Sequence, residues 1–351
     1  MKNLDSPQIT DLQAPELMME LVEAHRYLGE FKGLCQTLPN PHILIECLSI
    51  REAKDSSEIE NIITTHDDLY ASQVSEEPLG LAEKEVQHYA EALTLGFHRI
   101  KEEGICRLPT LLELQAVIEQ NNAGLRKLPG TMLKNDLTGD IIYEPPQHAE
   151  DVARLMADLV DYIHLEDGLD PILRMAVAHH HFESIHPFYD GNGRTGRILN
   201  ILLLVKEGLL DLPIFFLSRY INQTKQDYYR LLQITRQDNA WGQWCLYIVK
   251  GVKETAKLEI QFLHKYRALM QRYKHDIRFQ LPKMYSQDLL SSLFTYPYTK
   301  IDFLMRELKV SRPTATKYLN ELVDKGFLIR RKKGRHLFFI NQPLLSLIIH
   351  H

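Results

Sequence analysis

Apolar residues recur along most of this chain at the spacing of one helix face. After Pro15 the residues at this spacing are Leu17, Met18, Leu21, Val22, Leu28 and Phe31. A break at Pro39-Asn40-Pro41 ends this first predicted helix. The same periodicity predicts further helices at about 43–62, 79–97, 111–118, 152–163, 170–185, 198–205, 226–232 and 252–273. The pattern therefore predicts a mainly α protein.

One segment in the middle of the chain departs from the helical pattern. Pro129–Lys134 and Ile141–Pro146 flank a polar stretch, Asn135–Asp140. Short apolar stretches on both sides of a polar turn are typical of a β-hairpin. The residues by themselves indicate only a surface hairpin, the one strand pair expected in this region.

The pattern changes again towards the C-terminus. A predicted helix over 301–308 is followed by a second one, which Ser311 can cap. The segments 327–331 and 336–340 then flank Gly334-Arg335, as the two strands of a hairpin do. Helix, turn, helix and hairpin in this order predict a winged helix-turn-helix.

Charge sets this C-terminal region apart. Between Lys283 and Leu345 there are twelve Lys and Arg against five Asp and Glu, although the whole chain has a net charge of −5. Such asymmetry suggests a separate module with a different partner. The side chains expected to face outward are Arg312, Thr314, Thr316, Lys317 and Asn320 on the second helix, and the cluster from Arg330 to Arg335. They would suit a DNA groove and its phosphates, and a winged helix used for protein contact explains them equally well.

The overall composition is that of a globular protein, with 44% hydrophobic and 25% charged residues among 351. This length is enough for two or three domains. The first residues lack the apolar core of a signal peptide, and no run reaches membrane-spanning length. Cys35, Cys47, Cys106 and Cys245 form no CxxC pair, which favours buried thiols in a reducing compartment. We therefore expect a cytoplasmic protein without membrane contact.

The strongest chemical signal is the stretch from His186 to Arg197, which reads HPFYDGNGRTGR. The glycines on both sides of Asn192 let the backbone turn sharply and direct N–H groups at an anion. The following helix adds the positive end of its dipole, and Arg194 and Arg197, three apart, would clamp phosphate oxygens. Asp190 can hold a hard cation, and His186 can accept a proton near neutral pH. The stretch predicts a nucleotide-phosphate site with its own base.

The same letters contain Gly191-x-Gly193-x-x-Gly196, a formal match to the dinucleotide-binding fingerprint. That fingerprint requires a preceding strand and an acidic residue about 20 positions further on. Residues 176–183 have the pattern of a helix instead, and the region near Phe216 contains no such acid. No GxxxxGK(S/T) loop occurs in the sequence either, so both common nucleotide-binding loops are excluded.

Three consecutive histidines, His179-His180-His181, raise the alternative of a metal site. Consecutive residues on a helix cannot all face one ion, and the sequence contains no HExxH motif. Packing or surface roles are therefore favoured. An indirect role beside the site stays open for His181, because it lies just before the motif.

The stretch from His186 to Arg197 matches in full the motif HPFx(D/E)GNGRxxR of Fic domains, which mostly transfer AMP from ATP to protein hydroxyl groups. The chain thus resembles a Fic protein. This resemblance implies a Fic-type helical bundle with a small β-hairpin flap, followed here by the winged helix-turn-helix. A degenerate, inactive member is the alternative, but no catalytic position departs from the motif.

The resemblance implies a role for each residue of the motif. His186 would accept the proton of a Ser, Thr or Tyr hydroxyl of a target protein, and an ordinary pKa of about 6.5 suits such a base. Asp190 would bind Mg²⁺, which bridges ATP phosphates, and Phe188 would be buried beneath the loop. The hydroxyl would attack the α-phosphorus and expel pyrophosphate. The residues expected to bind the ATP phosphates are Gly191, Asn192, Gly193, Arg194 and Arg197.

A shorter match lies near the N-terminus. Ser56-xxx-Glu60-Asn61 is similar to the inhibitory motif (S/T)xxxE(G/N) of Fic proteins. Taken alone, Glu60 would be a solvated helix charge, with Ser56 on the same face and able to orient it. In the family this glutamate pairs with the second arginine of the motif, here Arg197. A carboxylate that accepts both N–H groups of that guanidinium would take the place of the γ-phosphate, which implies autoinhibition by Glu60.

Two further roles follow from the family. A hairpin flap lines up the target segment by adding a strand, which assigns Thr131, Met132 and Leu133 to target docking. A tyrosine-bearing helix lies against the nucleotide base, and Tyr228 is the candidate for stacking on it.

We therefore expect four parts: an N-terminal helical region with the inhibitory helix (1–100), a Fic catalytic domain (101–250), a helical linker (251–282) and a winged-helix domain (283–351). The expected activity is that of a protein adenylyltransferase (AMPylator) that uses ATP and Mg²⁺ and modifies target proteins and itself. Two alternatives stay open: an AMP-removing hydrolase in which Glu60 activates water, and a nucleotide-sensing DNA-binding regulator. A homodimer is also left open.

Overall fold

The computed structural model describes residues 12–38, 42–73, 79–134, 139–333 and 336–350, without the side chains of 42, 43, 46, 47 and 333. Three predicted features lie outside these residues: the break at Pro39-Asn40-Pro41, the turn of the hairpin at 135–138, and the Gly334-Arg335 turn. The described part is mainly helical, as the apolar spacing predicts.

The helices are α1 (Pro15–Gln36), α2 (His42–Ile59), α3 (His66–Gln73), α4 (Leu81–Glu103), α5 (Leu108–Glu119), α6 (Ala149–Tyr162), α7 (Pro171–Ile185), α8 (Asn192–Lys206), α9 (Leu217–Gln223), α10 (Lys225–Asp238), α11 (Trp241–Gln280), α12 (Gln287–Thr295), α13 (Ile301–Leu308), α14 (Arg312–Asp324) and α15 (Gln342–His350). The strands are β1 (Leu133–Lys134), β2 (Ile141–Tyr143), β3 (Tyr298–Thr299), β4 (Ile329–Lys333) and β5 (His336–Ile340). None of the described helices combines the length and the apolar character needed to cross a membrane.

Helix α1 packs along α11 through a stripe that runs from Leu17 to Cys35. Pro15 occupies its first position, where a missing N–H costs nothing. Met18 and Val22 share the apolar spacing but are exposed, so the buried face is narrower than predicted. The partner helix α11 is continuous from Trp241 to Gln280, and the predicted boundary at residue 250 therefore falls inside one helix.

Helices α7 and α8 form the centre of the fold, and nearly every residue of both is buried. A helix that is covered on all sides belongs to the interior of a domain. The side chain of Asp170 caps α7 by accepting the N–H of Ile172 at 2.8 Å. The loop between the two helices carries the predicted site, so a buried helix fixes the position of that site on each side.

The burial of α7 accounts for the three histidines. His179 contacts the hydroxyl of Tyr228 at 2.9 Å, and His180 packs edge-on against Trp241. His181 lies between Trp241 and Tyr162. These are packing roles, as favoured from the sequence, and no cluster of three or more potential ligands for a metal ion occurs among the described residues.

The C-terminal elements follow the order α12, β3, α13, α14, β4, β5, with the strands arranged β3-β5-β4 in one antiparallel sheet. This is the order of a winged helix, as predicted. Part of its basic cluster is engaged within the chain, since Arg331 pairs with Asp67 of α3 at 2.9 Å. Arg330 donates to Asn320 of α14 at 2.6 Å. These contacts leave fewer basic side chains of the cluster available to bind nucleic acid.

Candidate active site

The site is built on the loop between α7 and α8. Helix α7 ends at Ile185, and His186 follows in the left-handed region (φ 48°, ψ 61°), so the chain turns sharply there. Asn192 closes the loop, because its side-chain oxygen accepts the Phe188 N–H at 2.8 Å and its amide donates to the Phe188 carbonyl at 2.9 Å. Phe188 is fully buried beneath the loop, as the resemblance implies.

The first turn of α8 provides an anion site. Gly191 precedes it with φ 79°, a conformation that glycine adopts without strain. Its N–H donates to the Asp190 carboxylate at 2.8 Å. The N–H groups that begin a helix have no partner within it, and the dipole makes this end positive. The backbone of residues 192–194 can therefore bind phosphate oxygens, whereas the Asn192 side chain is committed to the loop.

Arg197 is buried one turn further along and is held by α2. Its Nε donates to Ser56 Oγ at 2.7 Å, and its Nη2 donates to the Ser56 carbonyl at 3.0 Å and to Glu60 Oε1 at 2.8 Å. The predicted pairing with Glu60 is present. The expectation that Glu60 accepts two N–H groups of the guanidinium is wrong, because the Nε of Arg197 donates to Ser56 instead. Ser56 thus orients the arginine and not the glutamate.

Glu60 lies just beyond the end of its helix. Helix α2 stops at Ile59 instead of Ile62, because Asn61 adopts the left-handed conformation (φ 62°) that ends a helix. The Lys225 ammonium caps the Ile59 carbonyl at 2.7 Å. The carboxylate of Glu60 lies against Gly193, where a Cβ would collide with Oε1. It therefore occupies the space directly over the anion-binding turn.

The electrostatics favour an ionised Glu60. Burial raises the pKa of this carboxyl group, but the neighbouring Arg197 outweighs that effect, and the net pKa lies below its ordinary value. The pairing therefore stabilises the fold above the ordinary pKa and is lost only as the pH falls through the lowered one. At cellular pH the contact is a charged pair.

The positive charge of Arg194 is likewise balanced by carboxylates. Its Nη1 donates to Glu85 of α4 at 3.0 Å and its Nη2 to Glu119 of α5 at 2.6 Å. The Glu119 carboxylate also packs against Gly191, where a Cβ would come within 2.7 Å of Oε1. The sequence did not single out Glu85 or Glu119. Both arginines of the motif thus hold carboxylates where the resemblance implies phosphate binding.

His186 is less basic than a free imidazole. Its pKa is lowered to about 4, chiefly by burial and then by the nearby charges of Arg126 and Arg236, while the carboxylates of Glu60 and Asp190 oppose the shift. The ordinary value expected from the sequence is therefore wrong for the folded chain. The imidazole is neutral at cellular pH and free to accept a proton, and its Nδ1 has no hydrogen-bond partner among the described residues.

The predicted hairpin lies beside this loop. Strands β1 and β2 pair antiparallel with Leu133 opposite Tyr143. The Thr131 carbonyl accepts the side-chain amide of Gln147 at 3.0 Å, and Met132 is exposed. Tyr143 donates its hydroxyl to the Ser184 carbonyl at 3.0 Å, which ties the hairpin to the end of α7. Of the three predicted docking residues, Leu133 lies in β1 opposite Tyr143, and Thr131 and Met132 directly precede this strand.

The predicted base-stacking residue is placed differently. Tyr228 is only 2% exposed, and its hydroxyl contacts His179 inside the core. Its neighbour Tyr229 is 46% exposed. Tyr229 shares a face of α10 with Lys225 and Gln233, four residues away on either side, which contact α2 and β2 respectively. This geometry disfavours Tyr228 as the stacking residue and leaves Tyr229 as the exposed ring on the face of α10 that is turned towards α2 and β2.

Comparison with known proteins gives three consecutive family matches. The Fic/DOC family N-terminal domain matches residues 18–98, and the Fic/DOC family domain matches 107–204. The C-terminal domain of SoFic-like protein adenylyltransferases matches residues 269–344. The second match contains the whole motif from His186 to Arg197, and the first contains Ser56 and Glu60.

Among curated proteins, the chain is 37% identical over 93 residues to the protein adenylyltransferase fic-1 of Caenorhabditis briggsae, covering 25% of this chain and 17% of that protein. It is 37% identical over 82 residues to the probable protein adenylyltransferase aq_aa38 of Aquifex aeolicus, covering 23% of this chain and 25% of that protein. The chain therefore matches only a quarter or less of the length of these relatives.

Among solved structures, a Fic family protein from Desulfovibrio desulfuricans G20 superposes with a TM-score of 0.60 at 19% identity, covering 97% of this chain and 98% of that one. Fic-1 from Caenorhabditis elegans superposes with a TM-score of 0.54 at 22% identity, covering 70% of this chain and 72% of that one. At this level of identity the likeness shows a shared fold.

Proposed function

The chain belongs to the Fic/DOC family, and from that premise we propose that it is a protein adenylyltransferase, which transfers AMP from ATP to a hydroxyl group of a target protein. One observation carries the proposal. A neutral imidazole lies at the edge of a helix N-terminus whose two arginines already hold anionic groups. That combination suits a phosphate chain bound beside a proton acceptor.

The reaction needs one base and an anion site. His186 accepts the proton as the hydroxyl oxygen of the target forms a bond to the α-phosphorus, and the bond from that phosphorus to the bridging oxygen breaks, so that pyrophosphate leaves. Proton transfer to a positioned side chain typically contributes about 10²–10⁴-fold. The backbone N–H groups of residues 192–194 and the dipole of α8 stabilise charge on the phosphates.

Phosphate binding would exchange one anion for another at both arginines. Arg197 would leave Glu60 and Arg194 would leave Glu85 and Glu119, each taking up phosphate oxygens with the same planar donor geometry. Since Glu60 lies over the first turn of α8, it competes directly for the place of the terminal phosphate. We therefore propose that Glu60 holds the resting enzyme inactive.

Asp190 suits a magnesium ion. Its carboxylate is exposed and accepts the Gly191 N–H with one oxygen, while the other oxygen has no hydrogen bond from the described residues. Mg²⁺ is commonly held by one or two carboxylates together with waters and substrate phosphates, so a single protein ligand is sufficient. When bound, the ion would neutralise phosphate charge. The hairpin would present Thr131, Met132 and Leu133 to the target, and Tyr229 would meet the nucleotide base.

The reaction type is tested with ATP labelled at either end of its phosphate chain. With the Glu60→Gly variant and its own hydroxyl groups as target, label from α-labelled ATP should appear in the protein, and label from γ-labelled ATP should not. This follows from attack at the α-phosphorus. Transfer of the γ label would identify a kinase and overturn the proposal, as would the absence of label from both forms.

The metal site is tested in the same background. Asp190→Ala should lower the rate of α-label transfer by about tenfold at low Mg²⁺ and raise the Mg²⁺ concentration needed for half the maximal rate, because a carboxylate ligand is lost. Asp211→Ala serves as the control, since that carboxylate pairs with Lys32 at the surface. An unchanged Mg²⁺ dependence in Asp190→Ala would show that another group holds the ion.

A further inference from the structure

The C-terminal end of α7 is unusually well capped. A helix leaves its last four carbonyl groups without partners inside the helix. Here every one of them accepts a hydrogen bond. The donors, in chain order from the carbonyl of Phe182 to that of Ile185, are the His186 N–H at 2.9 Å, Arg236 Nη2 at 3.1 Å, the Tyr143 hydroxyl at 3.0 Å and Arg126 Nη2 at 3.1 Å.

Arg126 makes two further contacts just beyond the helix. Besides the Ile185 carbonyl, its Nε donates to the His186 carbonyl at 2.7 Å and its backbone N–H to the Pro187 carbonyl at 2.9 Å. The carbonyls of Ile185 and His186 belong to the two peptide planes that flank the α-carbon of His186. One buried guanidinium therefore holds both planes, and with them the φ and ψ of the base.

That restraint has a physical purpose. His186 adopts a left-handed conformation that residues other than glycine populate sparsely and that costs free energy. Without a restraint the loop would relax and move the imidazole. A misplacement of about 1 Å at a reacting group can cost as much as about 10²-fold in rate.

Hydrogen bonds and a ring contact around the same loop also hold the hairpin on both of its sides. Lys127 and Leu128, which follow Arg126 towards β1, donate their N–H groups to the Tyr189 hydroxyl at 2.9 and 3.2 Å. On the other side, Tyr143 of β2 lies beneath the Arg236 guanidinium at 4.1 Å from its ring centre. Both ends of the hairpin are therefore fastened to the segment that carries the base.

We propose that Arg126 is a positioning residue for His186, and that with Tyr143 and Arg236 it forms a carbonyl clamp that couples the base to the hairpin. Nothing in the sequence motif includes it. The expected effect of Arg126 on AMP transfer rests on the proposed function, whereas its expected effect on the position and pKa of the imidazole does not. Arg126 also places its positive charge beside the imidazole, which contributes to the lowered pKa of His186 after the larger effect of burial.

The test uses Arg126→Met in the full-length chain. Titration of the His186 imidazole by NMR, with its signal assigned by its loss in His186→Ala, should give a midpoint near 4 in the parent protein and a clearly higher one in Arg126→Met. In the Glu60→Gly background, kcat for α-label transfer should fall about five- to tenfold. KM for ATP should stay within about twofold, because Arg126 touches no phosphate-binding group.

Arg174→Met is the matched control. Arg174 is also buried and donates to a backbone carbonyl, that of Tyr162 at 2.9 Å, but it lies near the other end of α7. It should cost comparable folding stability without moving the imidazole midpoint or kcat. Arg126→Lys keeps the charge and should shift the midpoint less than Arg126→Met does. If Arg126→Met unfolds the chain, Tyr143→Phe removes a single clamp bond and should still lower kcat by about two- to threefold.

Two results would overturn the clamp: an unchanged midpoint and kcat in folded Arg126→Met, or the same changes in Arg174→Met. If Glu60→Gly transfers no AMP at all, the proposed function fails. The imidazole titration of the unmodified chain and of Arg126→Met would then still decide whether the clamp positions His186.

Discussion

The Glu60→Gly variant is expected to transfer AMP at least about tenfold faster than the unmodified protein. A charge-assisted hydrogen bond contributes about 1.5–3 kcal/mol. The lower end of that range applies here because Glu60 is 37% exposed and is therefore partly screened by water. About 1.4 kcal/mol corresponds to a tenfold change in the competent population. The measurement is the initial rate of self-modification with α-labelled ATP.

Glu58→Gln provides the control for this variant. Glu58 lies two residues earlier on α2 and pairs with Lys54 at 2.8 Å, away from Arg197. It should leave the rate unchanged. Arg197→Ala should not reproduce the activation, because it removes the inhibitory partner and a phosphate-binding group together. A rate for Glu60→Gly no faster than that of the parent would exclude autoinhibition, and the loss of an AMP-removing activity would favour the hydrolytic alternative.

The largest effect is expected from His186→Ala in the Glu60→Gly background, where transfer should fall by about 10²–10⁴-fold. The imidazole is the group placed to accept the hydroxyl proton. ATP binding, followed by calorimetry, should stay within a few-fold, because the phosphate contacts come from α8 and from the two arginines. A fall in kcat with ATP affinity retained is the signature of a group that acts on the target hydroxyl.

His148→Ala is the control for the histidine. His148 is exposed, precedes α6, and makes no side-chain capping bond there, so its removal should change neither rate nor binding. Full activity in His186→Ala would show that another group or a water molecule takes the proton. An equal loss of ATP binding would show instead that the substitution has disturbed the anion-binding turn.

The residues of the motif could be placed from the sequence because their chemistry and spacing are local. The turn at Gly191, the buried Phe188 and the first turn of α8 all follow from residues within a few positions of one another. The pairing of Glu60 with Arg197 spans 137 residues, and only the family resemblance could supply it.

Other parts of the site depend on tertiary contacts that leave no pattern in the sequence. Arg126 reaches the His186 carbonyl across 60 residues, and it comes from a polar segment without periodicity. Glu119 reaches Arg194 across 75 residues. The lowered pKa of His186 has the same origin, since burial and two distant arginines determine it.

The burial of Tyr228 disfavours it as the base-stacking residue, for a reason that the sequence did contain. Tyr228 has the same helical phase as Leu231, Leu232 and Thr235, which all face the core. One residue on a helix turns the side chain by about 100°. Residue type alone therefore pointed to an aromatic ring, and only the phase of α10 distinguishes the buried ring from the exposed one.

The anchoring of Glu60 has a consequence for the inhibition proposed above. The glutamate and the arginine with which it pairs belong to one folded chain, and α2 is fixed to α4 through the buried bond between Glu52 and Tyr89. Inhibition of this kind is unimolecular, so its strength is the same at any protein concentration. A separate inhibitory partner would instead dissociate on dilution, and overproduction of the protein would exceed the amount of that partner, following mass action. If Glu60 inhibits as proposed, a cell that makes more of this protein would gain more of its resting form, and the active fraction would stay constant.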